Sequence, residues 1–476
     1  MAIKPGQPRP DPALSGQTGY ALMALRTGEM LDALAPDTTF LPASVTKIPT
    51  ALYALETLGA EHRFVTRLMA NGPIRNGVLE GDLILRGGGD PMLDSDGLGE
   101  MAQRAAARGI VRITGRFLVD DTALPVLREI DPGQPVQAAY NPSVGGLNLN
   151  FNRVRLEWGG QKGAGLRLEA RAKRFSPAVR HVDIAAIDRS GPVFSWEPGP
   201  EGGERWTVAR SALGRPGGRW LPVRDPAAYA GDVFRSLAGA FGLSLPPAQR
   251  IGPALHDGDR VAHQLGSLAG IAPPRAQAES EVARWSSPDL ATILRGMLKF
   301  STNLTAEVAG LATTKTRGVA MSDLARSGQE MQSWLSSYCQ LEHAPVFANH
   351  SGLSGTTTLT PTQTVAMLAA EEAHLPGRLA GLLKAVTLPP ARPGGTAPAG
   401  FAVAKTGTLA FARGLAGYLV DGSGARYAFA VYATDRAARA QAQLDRDRPR
   451  GSRRWLGRAR AQERRILSEW LTRLSR

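Results

Sequence analysis

Three short stretches of this chain carry residues that could do chemistry together. "SVTK", Ser44 to Lys47, places a hydroxyl and an amine three residues apart. On a helix, residues i and i+3 share a face, so Ser44 Oγ and the Lys47 amine can meet. Serine is a poor nucleophile without a base. A lysine in apolar surroundings has its charged form disfavoured, which lowers its pKa and fits it to be that base. The plainer alternative is a capping serine followed by a surface lysine. "STN", Ser301 to Asn303, adds a hydroxyl and an amide. "KTGT", Lys405 to Thr408, adds a cation, two hydroxyls and a glycine that leaves room beside the backbone. An edge strand there could pair with an extended peptide. Each pattern occurs once, and two of only eight lysines lie in them.

The elements that must position these groups can be read around them. In "PASVTKIPTALYALETLG", Val45, Ile48, Ala51, Leu52, Leu55 and Leu58 recur at helical spacing, and Gly59 is a C-terminal stop. Pro49 lacks the N–H that a helix opened at Ser44 would direct to the Val45 carbonyl, so a local distortion is expected between Val45 and Pro49. "GYALMALRTGEMLDALAP" reads as a β-hairpin. "SSPDLATILRGMLKFSTNLTAEVAGLA" reads as helical, with Ser287-Pro288-Asp289 as its start. "GFAVAKTGTL", "GLAGYLVDG" and "RYAFAVYAT" read as three strands. "RAQERRILSEWLTRLSR" reads as an amphipathic helix with a stripe of Ile466, Leu467, Trp470, Leu471 and Leu474. The two ends of the chain thus form one domain of antiparallel strands flanked by helices. From about Arg63 to Arg284 the texture changes to short alternating strands and glycine turns, as in "GDLILRGGGDP", "GIVRITGRFLVDD" and "NRVRLEW". This is a mostly-β insertion of two subdomains, with one helix capped by Asp225-Pro226.

Composition narrows the classes. With 476 residues, 43% hydrophobic and 21% charged, the chain can bury a large core in two or three domains. No apolar run is long enough to span a bilayer. The start, "MAIKPGQPRPDPALSG", lacks the apolar core of an export signal and reads as a flexible leader or a trimmed end. The net charge of +14 comes mostly from arginine, densest between Arg446 and Arg465. With no zinc-finger or RNA-binding pattern it reads as a solvated basic surface, so no nucleic-acid partner is expected. The last helix could touch an anionic membrane surface, though packing on the sheet is the simpler role. Cys339, the one cysteine, reads as a core filler in a helix. His62, His181, His256, His263, His343, His350 and His374 show no paired metal-ligand spacing, so no metal or cofactor is implied.

In the order S-x-x-K, S-x-N, K-T-G, the three motifs resemble those of the penicillin-recognising serine enzymes. The long gap between Lys47 and Ser301 narrows the likeness to the D-alanyl-D-alanine carboxypeptidase/endopeptidase family of low-molecular-mass penicillin-binding proteins. The likeness extends through "GDLILRGGGDPML", "GRFLVDDTAL", "HSGLSGTTTLTP" and "AVAKTGTLAFARGLAGYL". It implies an α/β (α+β) transpeptidase-like domain with an antiparallel five-stranded sheet, made of residues 1–66 and 283–476. The insertion would divide into one subdomain at 67–150 and 223–282 and a nested β subdomain at 151–222. The resemblance implies Ser44 as acylated nucleophile, Lys47 as base and Ser301 as proton relay. It gives Asn303, Lys405, Thr406, Gly407 and Thr408 to substrate, the N–H groups of Ser44 and Thr408 to the oxyanion hole, and Asp120 to a substrate contact from the insertion. It implies peptidoglycan stem peptides as substrate, β-lactams as covalent inhibitors, and a periplasmic or cell-envelope location. A β-lactamase or esterase on the same scaffold, or a non-catalytic cell-wall-binding protein, is the alternative. The chain departs from the family at Asn349-His350 and at Gly355, where relatives commonly carry Asp-Gly and an arginine; this bears on the preferred stem peptide.

Overall fold

The computed structural model describes residues 7–159, 165–251, 279–390, 398–442 and 449–475. The first six residues of the leader, His256, His263, and Arg446 and Arg448 of the basic stretch lie outside the described residues. The chain folds as two units, Met1–Ala60 with Leu290–Arg476, and Glu61–Asp289. The divisions fall six to seven residues outside the expected 66/67 and 282/283 boundaries.

The first unit is built on an antiparallel sheet. Its strands in chain order are β1 (Gln17–Ala24), β2 (Met30–Leu34), β3 (Lys384–Val386), β4 (Gly400–Leu409), β5 (Ala412–Asp421) and β6 (Arg426–Thr434). Their order across the sheet is β3-β4-β5-β6-β1-β2. Five of these strands are those expected; the sixth, β3, has three residues, too few to show a period of two. β1 pairs with β6 from Gln17↔Thr434 to Ala24↔Tyr427, so the first and last strands of the chain lie side by side.

Helices cover both faces, and the alternation of side chains along the strands sorts them. On one face Leu419, Phe429 and Val431 join Ile466, Leu467, Trp470 and Leu471 of the C-terminal helix α7 (Ser452–Leu474), all buried; α7 follows the short helix α6 (Arg436–Gln441). On the other, Tyr418 donates to the Leu368 carbonyl and Tyr432 bonds Thr364, both from the helix α5 (Pro361–His374). A helical layer completes the unit. There α1 (Lys47–Leu58) packs against α2 (Leu290–Phe300), α3 (Asn303–Thr316) and α4 (Leu324–Tyr338). Residues Lys47 through Leu55 of α1 are all buried, which explains why its sequence is apolar apart from Lys47 and Thr50 over that stretch. Cys339 is not inside a helix but caps the end of α4, half-buried, and burial pushes its thiol up to about 12.

The second unit holds a mixed five-stranded sheet in the order Ala248–Ile251, Phe117–Asp120, Asp82–Arg86, Val65–Asn71, Ser280–Ser286. Two smaller three-stranded sheets form from strands between Arg153 and Pro222. The helix Pro226–Ala240 is capped by the Asp225 carboxylate, which accepts from the Ala228 N–H. One apolar core runs through the unit, joining Leu68, Leu85 and Phe117 of the large sheet to Val154, Leu156 and Trp206 of the smaller ones.

Candidate active site

The turn that carries Ser44 is not α-helical. Ala43–Thr46 forms a 3-10 turn, and the α-helix begins at Lys47. Pro49 therefore stands in the first turn of α1, where its missing N–H has no helical partner to lose. This is the distortion expected from Pro49, and it sets the angle between Ser44 and Lys47. Ala43, just before the nucleophile candidate, takes a left-handed φ of 46°. Ser301 does the same at φ 60°, where α2 ends and α3 begins. Such backbone is unfavourable for residues with a Cβ and survives only where the surroundings hold it.

The side chains of the three motifs converge. The Lys47 amine lies 3.0 Å from Ser44 Oγ, 2.7 Å from Asn303 Oδ1 and 2.9 Å from the Ser351 carbonyl. The Lys405 amine donates to Ser301 Oγ at 2.9 Å and to the Thr406 carbonyl at 2.8 Å. Both lysines are buried, while Ser44, Ser301 and Asn303 are part-exposed. Burial lowers the Lys47 pKa well below the ordinary lysine value; the Lys405 charge lowers it further, and Glu307 opposes both. Burial, helped by the Arg413 charge, brings Lys405 down to about 7. Both shifts follow from the cost of holding an ammonium away from water.

Two supports were not visible in the sequence. Glu307, fully buried on α3, accepts the backbone N–H of His350 and of Ser351, each at 2.9 Å, one on each oxygen. It thereby fixes the peptide whose carbonyl receives Lys47. Burial raises its pKa, against the pull of those bonds and of Lys47. The other support is Arg413 on β5, which donates to Thr408 Oγ1 at 2.6 Å. Both are single charged residues inside otherwise ordinary element sequences, so no motif marked them. The Ser351 acceptor is backbone, which sequence does not show at all.

The strand β4 brings the third motif to Ser44. A Cβ at Gly407 would stand 2.0 Å from the Pro42 carbonyl oxygen, so only glycine lets β4 lie against the turn that carries Ser44. β3 pairs only with Ala402–Ala404 of β4. From Lys405 to Leu409 the outer edge of β4 has no strand partner among the described residues. Thr406 and Thr408 are exposed there. Asp120 belongs to the second unit, where Arg86 Nε donates to its Oδ2 at 2.8 Å and Thr122 donates to its Oδ1 through both N–H and hydroxyl.

The family departures have physical accommodations. The His350 imidazole is fully buried against Gly310 of α3, where a Cβ would lie 2.1 Å from its ring. It bonds Ser327 Oγ at 2.8 Å, and burial lowers its pKa to about 3, so it is neutral. Asn349 Oδ1 accepts from the Gly352 N–H at 2.9 Å, closing the loop. In front of Gly355 stands the Arg439 guanidinium, its Nη2 3.2 Å from the place a Cβ would occupy and its Nη1 on the Ala410 carbonyl at 3.0 Å.

A paired serine and lysine, a second serine–lysine pair and a free strand edge can together support acyl transfer through an ester. Comparison with known proteins agrees. The sequence model of the D-Ala-D-Ala carboxypeptidase 3 (S13) family matches residues 8–449. A D-alanyl-D-alanine carboxypeptidase of Actinomadura sp. (strain R39) is 28% identical over 473 residues, spanning 88% of this chain and 78% of that protein. The crystal structure of penicillin binding protein 4 (dacB) from Haemophilus influenzae has the same fold, with a TM-score of 0.71 at 19% identity over 94% of this chain and 96% of that one. The same protein complexed with a β-lactam gives 0.69. Matched along most of its length, the chain belongs to the D-Ala-D-Ala carboxypeptidase 3 (S13) family.

Proposed function

We propose that Ser44 is the nucleophile of a serine DD-peptidase that cleaves D-Ala-D-Ala or D-alanyl cross-links in peptidoglycan, with Lys47 as its base. The observation that carries the assignment is the Lys47 amine shared among Ser44 Oγ, Asn303 Oδ1 and the Ser351 carbonyl. As a neutral amine, Lys47 keeps two protons for the two carbonyl-type oxygens and turns its lone pair to the Ser44 hydroxyl. Ser44 Oγ then attacks the substrate carbonyl while its proton passes to Lys47. The N–H groups of Ser44 and Thr408 receive the developing oxyanion. Ser301, held by Lys405, relays the proton taken up by Lys47 to the leaving amine as the C–N bond breaks and the tetrahedral centre collapses to the Ser44 ester, which returns Lys47 to its neutral form. Water then attacks that ester, and Ser44 recovers its proton.

The substrate lies along the free edge of β4 as an added strand. Asn303 holds its amide, and Lys405, Thr406 and Thr408 hold its terminal carboxylate beside Gly407. The family is one of cell-wall peptidases, and the action is extracytoplasmic, in the periplasm or cell envelope. No described helix is long and apolar enough to cross a membrane. The exposed arginines of α7 allow peripheral contact with anionic lipid. Incubation with a labelled penicillin and mass mapping of the adduct tests the proposal. A single adduct on Ser44, lost in Ser44→Ala, is expected; an unmodified Ser44 overturns it.

A further inference from the structure

The side of the free β4 edge that faces α7 holds a charge not used in the steps above. Thr408 and Arg413 are direct cross-strand partners in the β4–β5 register. Directly opposed residues of an antiparallel pair project from the same face and touch. Arg413 is buried, and its guanidinium is fixed at two points. Nε donates to both carboxylate oxygens of Glu463 on α7, at 3.0 and 2.9 Å. Nη1 donates to Thr408 Oγ1 at 2.6 Å. Nη2 has no protein acceptor among the described residues.

Two consequences follow from donor counting. The Thr408 hydroxyl accepts from the guanidinium, so its single proton is left to donate elsewhere. The guanidinium cannot turn away, because Glu463 is itself buried and has its partner in Arg413. A fixed cation and a hydroxyl with its proton outward, at an exposed position on an unpaired strand edge, are suited to a carboxylate. Lys405 lies on the same strand, on the Ser301 side, and its charge acts on the same end of the edge.

We propose that the Glu463–Arg413 pair sets recognition of the substrate's terminal carboxylate, with Arg413 the specificity-determining residue and Glu463 its positioning residue. This rests on the DD-peptidase reading and adds to it an anchor supplied from the C-terminal helix. It makes the enzyme selective for a peptide ending in a free carboxylate over the same peptide ending in a carboxamide.

The test compares kcat/KM for an acyl-D-Ala-D-Ala peptide and its C-terminal carboxamide. Wild type is compared with Arg413→Met/Glu463→Gln, a double variant that removes both charges and so leaves neither buried alone. The carboxylate preference is expected to fall about 10- to 100-fold, through KM. The alkaline limb of the pH profile, governed by Lys405, is expected to move to higher pH once the neighbouring cation is gone. A wild-type preference in the folded variant overturns the inference, as does a fallen preference with a stationary alkaline limb, which would assign the loss to packing. Should the double variant not fold, Arg413→Lys carries the test. It keeps a charge but loses the fork that reaches Glu463 and Thr408 together, so the same fall is expected and an unchanged preference overturns the inference. A wild-type protein with no Ser44 adduct and no cleavage of either peptide would instead refute the DD-peptidase reading.

Discussion

The Lys47 amine has three neighbours and, when charged, three protons. Two of those neighbours are carbonyl-type oxygens that only accept. The proton that comes and goes must therefore lie on the arm toward Ser44, so Asn303 and Ser351 set its direction as much as burial sets its affinity. Lys47→Met should slow acylation by a chromogenic β-lactam about 10³-fold, while leaving the protein folded. As pH falls through the depressed Lys47 pKa, the amine takes a proton and ceases to be a base, giving an acid limb. As pH rises through about 7, Lys405 loses its charge and attraction for the substrate carboxylate weakens, giving an alkaline limb. Lys405→Arg, which stays charged, should abolish the alkaline limb, and rate measurements across pH 5 to 9 check this. Ser44, Lys47, Ser301, Asn303 and Lys405 were legible because each combines a reactive type with a motif. Glu307 was not. A glutamate in "NLTAEVAG" reads as a helix surface residue until the fold buries it under the His350–Ser351 peptide.

At the scale of elements, the site depends on close approaches that only small residues allow. Helix α3 carries Asn303 at its start, Glu307 one turn later and Gly310 next, so one face serves the lysine, the loop and the imidazole in turn. Gly310→Ala would put a methyl group into the buried His350 ring. It should destabilise the protein by about 1–3 kcal/mol and slow acylation by displacing the Ser351 carbonyl. Adding His350→Ala should relieve most of the clash, so the double variant should melt above the Gly310→Ala single; thermal melts of the set decide it. Periodicity revealed α1, the last helix and five strands of the sheet. It did not reveal β3, whose three residues contain no pattern, nor the 3-10 turn at Ser44 as a geometry. Pro49 gave only the statement that an ordinary helix could not run through it.

At the scale of the molecule, the sheet is closed by its ends. β1 and β6 are paired, and α7 seals the face beneath them with Trp470, whose Nε1 donates to Asp32 Oδ2 at 2.8 Å. Trp470→Ala should cost about 3–5 kcal/mol and lower the melting temperature of the unit that holds the site. Loss of penicillin binding in parallel with melting, with normal acylation at low temperature, is the expected pattern. The charge of +14 conveyed little about function, because arginine was read by number. What counts is that Arg413 is inside and paired, while Arg453, Arg454, Arg460 and Arg464 are on the solvent side of the same helix that supplies Glu463.

The insertion enters after Ala60 and returns at Leu290. Within the first unit, the Ala291 N–H reaches the Ala60 carbonyl at 3.0 Å, so the two cut ends of α-rich chain touch. Within the second, Val65 pairs with Ser286 and the Phe64 N–H donates to Ser287 Oγ, so the insertion is zipped shut at its base. As unstructured chain, the 256 residues between Ser44 and Ser301 would oppose their meeting by about 5 kcal/mol of closure entropy. Once folded, the insertion presents its two ends like a short staple, and that opposition is removed before the nucleophile meets its partners. During synthesis, the first 60 residues leave the ribosome long before the strands they must join. The closed base of the insertion thus shortens the loop that separates the nucleophile from its partners, because the chain crosses from Ala60 to Ala291 in a single hydrogen bond.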